Sequence, residues 1–325
     1  DKLLIATGSH PTSPPVSGID LPDVHPCWTL EDGRKIAAQA QPGAKVVLMG
    51  AGFIGCIILE ALAAREVDLT VVELENRMVP RMMNDTSGNL IKQWCQSKGV
   101  NVHTSTKVQA IGQGNGSHKL SVTLDSGETV PADLVISATG VASNMALLEG
   151  SGVKTDFGIL VNEYLQTSDS NIYAAGDVAQ GKDFSTGEYS VQAIQPTAAD
   201  HGRIAAMNMA GKKTRHQGSV NMNVLDTLGL VSSSFGLWMG VANGDSAELC
   251  QPESYEYLNL QFQDDILVGA SSLGLTEHVG VVRGLIQSKV QLGAWKDKLM
   301  HEPNRLMEAY IANTQAIGYN SAVSR

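Results

Sequence analysis

The sequence predicts an α/β fold: a βαβ unit on a parallel sheet set inside a second α/β domain, followed by an α+β part. Three observations predict it. Lys45 to Glu73 reads as buried strand, glycine turn, apolar helix and second strand. From Lys107 to Val130 the apolar period changes from helical to two. Finally, two apolar runs ending in Ala-Thr-Gly, at 6–8 and 138–140, bracket the βαβ unit, as they would if it were an insertion.

The βαβ unit carries the chemistry. Lys45-Val-Val-Leu-Met is followed by Gly50-Ala51-Gly52-Phe53-Ile54-Gly55 and then by an apolar helix to about Ala64. Gly50 permits a tight turn, Gly52 lets a pyrophosphate approach the backbone, and Gly55 lets the helix pack close on the strand. The helix start, at Phe53 and Ile54, offers unpaired N–H groups to the anion. Glu73 follows Gly52 by 21 residues, close to the roughly 20 expected of the acid that accepts from the adenosine ribose hydroxyls. The plain alternative is a βαβ unit with no ligand. A carboxylate at this place repels a 2′-phosphate and a nearby Arg attracts one. Glu73 and Glu75 stand nearer the strand end than Arg77, which favours NAD over NADP.

Bulk properties limit the rest. The chain has 325 residues, 43% hydrophobic and 17% charged, enough for two or three domains with sizeable cores. Its net charge of −10 argues against a nucleic-acid partner or an anionic membrane surface. Cys27, Cys56, Cys95 and Cys250 are too scattered for a disulfide framework and form no Cys-x-x-Cys pair, so they read as reduced thiols of a cytoplasmic protein. No apolar run approaches the roughly 20 residues of a membrane span. Lys2 to Gly8 reads as a buried strand with nothing before it to pair with, so the expectation is an N-terminally truncated chain.

The remaining elements follow in order. Prolines 11, 14, 15, 22 and 26 exclude helix and central strand and suit a crossing between domains. A helix from about Thr29 to Gln39 takes Thr29 or Asp32 as N-cap. The polar turn Asn84 to Ser87 starts a helix that runs to about Lys98 and closes at Gly99, and Val100 to Thr104 is a short parallel strand. Lys107–Ile111, Lys119–Leu124 and Glu128–Val130 form a β-meander. Gly158–Val161 and Ile172–Asp177 read as strands, the second ending in an exposed Gly176-Asp177. Tyr189 to Ala210 reads as helix with an interruption at Pro196. Strands Tyr257–Phe262 and Ile266–Leu273 flank a turn, and helices fall at about Glu277–Ser288, Ala294–Met300 and Asn304–Thr314.

These motifs, in this order and spacing over roughly residues 1 to 210, resemble the two-dinucleotide flavoprotein reductases of the pyridine nucleotide-disulfide oxidoreductase superfamily. The C-terminal part is similar, more loosely, to that of rubredoxin reductases, dioxygenase ferredoxin reductases and the flavin region of NADH-dependent nitrite reductases. The resemblance implies a Rossmann-like NAD-binding domain at 42–137 inserted into an incomplete FAD-binding domain at 1–41 and 138–215, with a C-terminal α+β cap or interface domain at 216–325. It implies NADH on Gly50, Gly52, Phe53, Ile54, Gly55 and Glu73. It further implies FAD near Thr7, Gly8, Gly140 and Gly176, with Asp177 accepting from the ribityl chain; a turn or N-cap Asp is the other reading of Asp177. Hydride would pass from NADH to FAD and electrons on to a small carrier of the rubredoxin or ferredoxin type.

The chain departs from the pattern in places. The glycine fingerprint for the FAD pyrophosphate would lie upstream of Asp1, which leaves open FAD retention by this chain. Relatives commonly carry a Glu where Ile57 stands; an apolar residue there alters nicotinamide placement or is simply core. After the second Ala-Thr-Gly, Val141-Ala142-Ser143-Asn144 keeps only the Asn of the usual Pro-Asn. Disulfide reductases present a His with a Glu five residues on, but His278 has Arg283 there and His301 has Leu306. A cysteine-dependent NADH oxidase or peroxidase, its cysteine upstream, and a non-catalytic NAD-binding subunit are the alternatives. Cys56 reads as a core residue, one of Trp94 and Cys95 as inward-facing, and Cys27 as a loop residue. The eight His show no metal-ligand spacing, and Asp200-His201 reads as solvated helix surface.

Overall fold

A computed structural model describes residues 1–313. It is a mixed α/β structure in two compact units. The first comprises Asp1–His10, Val141–Asn223 and Phe235–Leu237; the second Pro11–Gly140, Val224–Ser234 and Trp238 onward.

The second unit is built on a five-stranded parallel sheet in the order Val24–Pro26, Leu134–Ser137, Lys45–Met49, Asp68–Val72, Asn101–His103. Its central strands carry buried apolar runs, Leu134–Ile136, Val46–Met49 and Val71–Val72, because both faces are covered. Val46 and Leu48 face a core shared with the helices Phe53–Ala63 and Asp85–Ser97. Val47 and Met49 face the meander Val108–Gln113, Leu120–Leu124, Thr129–Ala132. Helix starts follow local chemistry. Thr29 caps Leu30–Gln39 in a reciprocal box with Asp32, and Asn84 caps Asp85–Ser97 through the Ser87 N–H. The Pro-rich passage does hold two short strands, Ser9–Pro11 and Val24–Pro26. The latter is a sheet edge, where a missing N–H is tolerated.

The C-terminal part contains more strand than the sequence suggests. Met222–Thr227, Leu230–Gly236 and Asp245–Gln251 join Glu256–Gln263 and Ile266–Leu273 in a second five-stranded sheet. Leu225, Leu230, Tyr257 and Leu273 from this sheet share the core of the parallel sheet's helices. Trp94 donates from Nε1 to the Thr227 and Leu228 carbonyls at 3.1 and 3.2 Å, and Asn84 donates to the Tyr257 hydroxyl at 2.5 Å. Helices follow at Val279–Ser288, Ala294–His301 and 306–313; Thr314, expected to end the last one, lies outside the described residues.

In the first unit Leu3–Ile5 pairs in parallel with Ile172–Ala174, so the opening strand has a partner later in the chain. It is not buried throughout: Leu3 is 53% exposed and only Ile5 is core. Ile159–Leu160, Ala179–Lys182 and Tyr189–Val191 form a small sheet, and the helix Gln195–Met209 packs Ile204 and Ala205 on Tyr173 and Val178. Tyr189 therefore opens a strand, not a helix. Pro196 does not interrupt the helix but occupies its first turn, where an N–H has no helical partner to lose.

Candidate functional site

The glycine turn takes its shape from contacts no side chain would permit. Gly50 has φ +96°, and a Cβ there would lie 2.6 Å from the Ala138 carbonyl oxygen. A Cβ on Gly55 would lie 2.1 Å from the Gly50 carbonyl, so the helix sits hard against the turn. Gly52 is the helix N-cap; it supplies no side-chain cap, and a Cβ there would meet nothing within 4 Å. The space beside Gly52 is thus open, and a helix start that no side chain caps there is of the kind that fits a pyrophosphate. Phe53 is 36% exposed, Ile54 half-buried and Gly55 buried. Ile57, read from sequence as core or as a place beside the nicotinamide, is 50% exposed and so not core.

Glu73 does more than close the second strand. It is 7% exposed, and its two oxygens accept from the Ala51 N–H at 2.6 Å and the Glu75 N–H at 2.9 Å. The acid is thereby bolted to the middle of the glycine turn. Arg77 is engaged elsewhere: Nη1 lies 2.8 Å from Asp85 Oδ1 and Nε donates to the Met83 carbonyl at 2.7 Å. Bond formation to a 2′-phosphate would have to break these contacts.

The first unit gathers Thr7, Gly8, Gly176 and Asp177. Thr7 donates from Oγ1 to the Asn144 carbonyl at 2.8 Å, and Asn144 returns a bond from Nδ2 to the Thr7 carbonyl. Asp177, half-buried in a short turn after Ile172–Ala174, accepts from Ser9 Oγ at 2.9 Å, while Ser143 Oγ donates to its backbone carbonyl. A held carboxylate, with open space beside Gly8, is an acceptor that suits the hydroxylated chain of a flavin. Sequence reasoning missed Ser9 and Ser143; a serine shortly after each repeated motif, one residue past Gly8 and three past Gly140, was the available signal. Gly140 belongs to the second unit, where its carbonyl accepts from the Thr12 N–H at 2.9 Å.

Other titratable groups stand apart from these loops. Cys56 and Cys95 are fully buried, and burial pushes both thiols up, Cys95 to about 12. Cys27 and Cys250 are half-buried and raised as well, chiefly by burial. Trp94 is half-buried, so of that pair Cys95 is the inward residue. His201 corrects the solvated-surface reading: it is 2% exposed, with its ring 4.7 Å edge-on to His216 and Nε2 3.1 Å from Ser219 Oγ. Its neighbour Asp200 faces outward to Arg203 at 2.7 Å. Among the described residues no three His, Cys, Asp or Glu side chains group as metal ligands, and no helix is long and apolar enough to cross a membrane.

Comparison with known proteins shows the family. The chain is 31% identical over 306 residues to the epsilon subunit of NADH-dependent phenylglyoxylate dehydrogenase from Aromatoleum evansii, covering 93% of this chain and 72% of that one. It is 33% identical over 221 residues to rhodocoxin reductase from Rhodococcus erythropolis, covering 67% of this chain and 51% of that one. The solved NAD-dependent persulfide reductase from A. fulgidus superposes with a TM-score of 0.82 at 29% identity, covering 90% of this chain and 58% of that one. The chain thus spans about half to three-quarters of the length of these three proteins. Residues 1–209 match one family throughout, and the chain belongs to the pyridine nucleotide-disulphide oxidoreductases.

Proposed function

We propose that this chain takes NADH on the Gly50–Gly55 turn and Glu73 and serves an FAD-dependent reductase that passes electrons to a small redox carrier. The observation that carries the proposal is the uncapped helix start at Gly52 with the buried acid Glu73 tied to Ala51. Backbone N–H groups at Phe53, Ile54 and Gly55 would take the pyrophosphate, and the outer side of Glu73 the ribose hydroxyls. The engaged Arg77 and the neighbouring Glu75 favour NADH over NADPH. In the first unit Thr7, Gly8, Gly176 and Asp177 would hold the flavin. The flavin supplies acceptance of a hydride and its release as single electrons; the side chains orient it and keep Asp177 as an acceptor. Rhodocoxin reductase, by its name, supports a protein carrier as the acceptor.

The test is an absorption spectrum of the purified chain with added FAD, then with NADH in the absence of oxygen. Flavin bands that bleach on NADH support the reading. A protein that stays colourless yet binds NADH sinks the flavin half of it. The likeness to an epsilon subunit over 93% of this chain favours a second reading, an NADH-handling subunit of a larger dehydrogenase. Co-purification of the chain with further polypeptides, and reduction of their acceptor by NADH only in that assembly, would select it.

A further inference from the structure

The segment between Glu73 and the helix Asp85–Ser97 has a construction that cofactor preference alone does not explain. Arg77 gathers four acceptors: the Met83 carbonyl at 2.7 Å, the Pro80 carbonyl at 3.2 Å, the Asn76 side chain at 2.7 Å and the Asp85 carboxylate at 2.8 Å. A planar fork bound to two carbonyls of one loop closes residues 77–83 into a compact turn. Inside it the N–H groups of Met82 and Met83 both donate to the Val79 carbonyl, at 2.9 and 3.0 Å. The following helix leaves no slack, since a Cβ on Gly88 would lie 2.7 Å from the Met78 carbonyl and 2.9 Å from Arg77 Cβ.

At the centre of this turn Val79 is fully buried with φ +44°, a left-handed conformation that a β-branched residue rarely adopts. Such a conformation persists only where the surroundings over-determine it. Its product is one hydrogen bond: the Val79 N–H donates to the Ala51 carbonyl at 2.8 Å. Ala51, the middle residue of Gly-Ala-Gly, donates its own N–H to Glu73. Both polar groups of that residue are therefore held by the segment after the second strand. The peptide planes around Gly52 inherit their orientation from this clamp.

We propose that Arg77 is a positioning residue for the nucleotide: it locks the Val79 turn, and Val79 with Glu73 fixes Ala51 so that the N–H groups beyond Gly52 face the pyrophosphate. The inference rests on the NADH reading above and deepens it. It also excludes Arg77 as the receiver of a 2′-phosphate, the role its distance from Glu73 would suggest.

Arg77→Ala decides the matter when read by NADH and NADPH titration of the full chain and by amide hydrogen exchange without ligand. The clamp predicts NADH and NADPH weakened by the same factor, at least fivefold, and exchange at Ala51 and Val79 at least tenfold faster. Amides of the sheet Glu256–Leu273 keep their protection. Arg77→Lys, which cannot span both carbonyls, falls between. Asp85→Ala, at an exposed acceptor of the guanidinium, moves both readouts the same way and stands in should Arg77→Ala fail to fold. Affinity for NADH within twofold of wild type with unchanged Ala51 exchange overturns the proposal, as does a loss confined to NADPH. A wild-type chain that ignores NADH overturns the nucleotide reading instead, and Ala51 exchange still reports on the clamp.

Discussion

Replacing Glu73 by Gln removes one charge and almost no volume, and the structure says what that should cost. The carboxylate accepts two backbone N–H groups, from Ala51 at 2.6 Å and Glu75 at 2.9 Å, at a site 7% exposed. A Gln amide has one acceptor oxygen and an NH2 that only donates, so in either orientation one of those N–H groups faces another N–H. A hydrogen bond to a charged group is worth about 1.5–3 kcal/mol, and leaving a buried donor unmet costs about as much. The free protein should lose about 2–3 kcal/mol of stability, a Tm lower by roughly 5 °C or more. If the acid also accepts from the ribose, NADH affinity falls further, by about tenfold to a hundredfold, since 1.4 kcal/mol is a factor of ten. Thermal unfolding and an NADH titration on one preparation separate the two effects. An unchanged Tm together with an NADH dissociation constant within twofold of wild type would refute the reasoning.

Three further outcomes follow from the same structure. His201 is buried neutral, burial holding its pKa near 4 against about 6.5 when unfolded. The unfolded chain therefore takes up the proton first, and stability falls as pH drops from about 6.5 to about 4, by roughly 3 kcal/mol at 1.36 kcal/mol per pH unit. Urea unfolding at pH 7 and pH 4.5 should show a smaller acid loss in His201→Gln than in wild type, and equal losses would count against it. Gly55→Ala puts a Cβ 2.1 Å from the Gly50 carbonyl and should abolish NADH binding or soluble expression; an affinity near wild type would mean the helix does not pack as described. A thiol reagent at pH 8 should modify Cys27 and Cys250 in the native protein well before Cys56 and Cys95, which are fully buried; four equal rates would contradict that burial.

What was legible in the sequence was whatever repeated or punctuated itself. The run Val46 to Met49, the period-two meander, the Thr29-to-Asp32 helix start and the polar turn Asn84 to Ser87 announce their conformations locally, and the structure follows them. Strands such as Met222–Thr227 and Leu230–Gly236 were not legible. The latter carries Ser232, Ser233 and Ser234 where β-branched residues would be expected, and it is a strand because its neighbours bury it. Tyr189–Val191 reads as part of the next helix because no glycine separates them, and Pro196 reads equally as a break or a helix start. At the candidate site Gly50, Gly55 and Glu73 stood out by spacing. Ser9, Ser143 and Val79 act through backbone and neighbouring groups, and nothing about a serine or a valine in sequence marks that.

Cofactor preference and loop architecture are not independent here. The carboxylate that would repel a 2′-phosphate is the same one that accepts the Ala51 N–H. An exchange of preference by neutralising Glu73 would loosen the turn proposed to seat the dinucleotide, so NADH should be lost before NADPH is gained. Arg77, placed to look like a ready phosphate ligand, is committed to Met83, Pro80 and Asp85, and recruiting it would undo the second hold on Ala51. A chain built this way should change cofactor only through residues added outside the clamp, at exposed positions such as Leu74, 65% exposed, or Glu75. Leu74→Arg with Glu73 left in place should then gain some NADPH affinity without losing Tm, whereas Glu73→Gln alone should lose both Tm and NADH. The reverse pattern, a stable Glu73→Gln that accepts NADPH, would show that the turn does not depend on its acid.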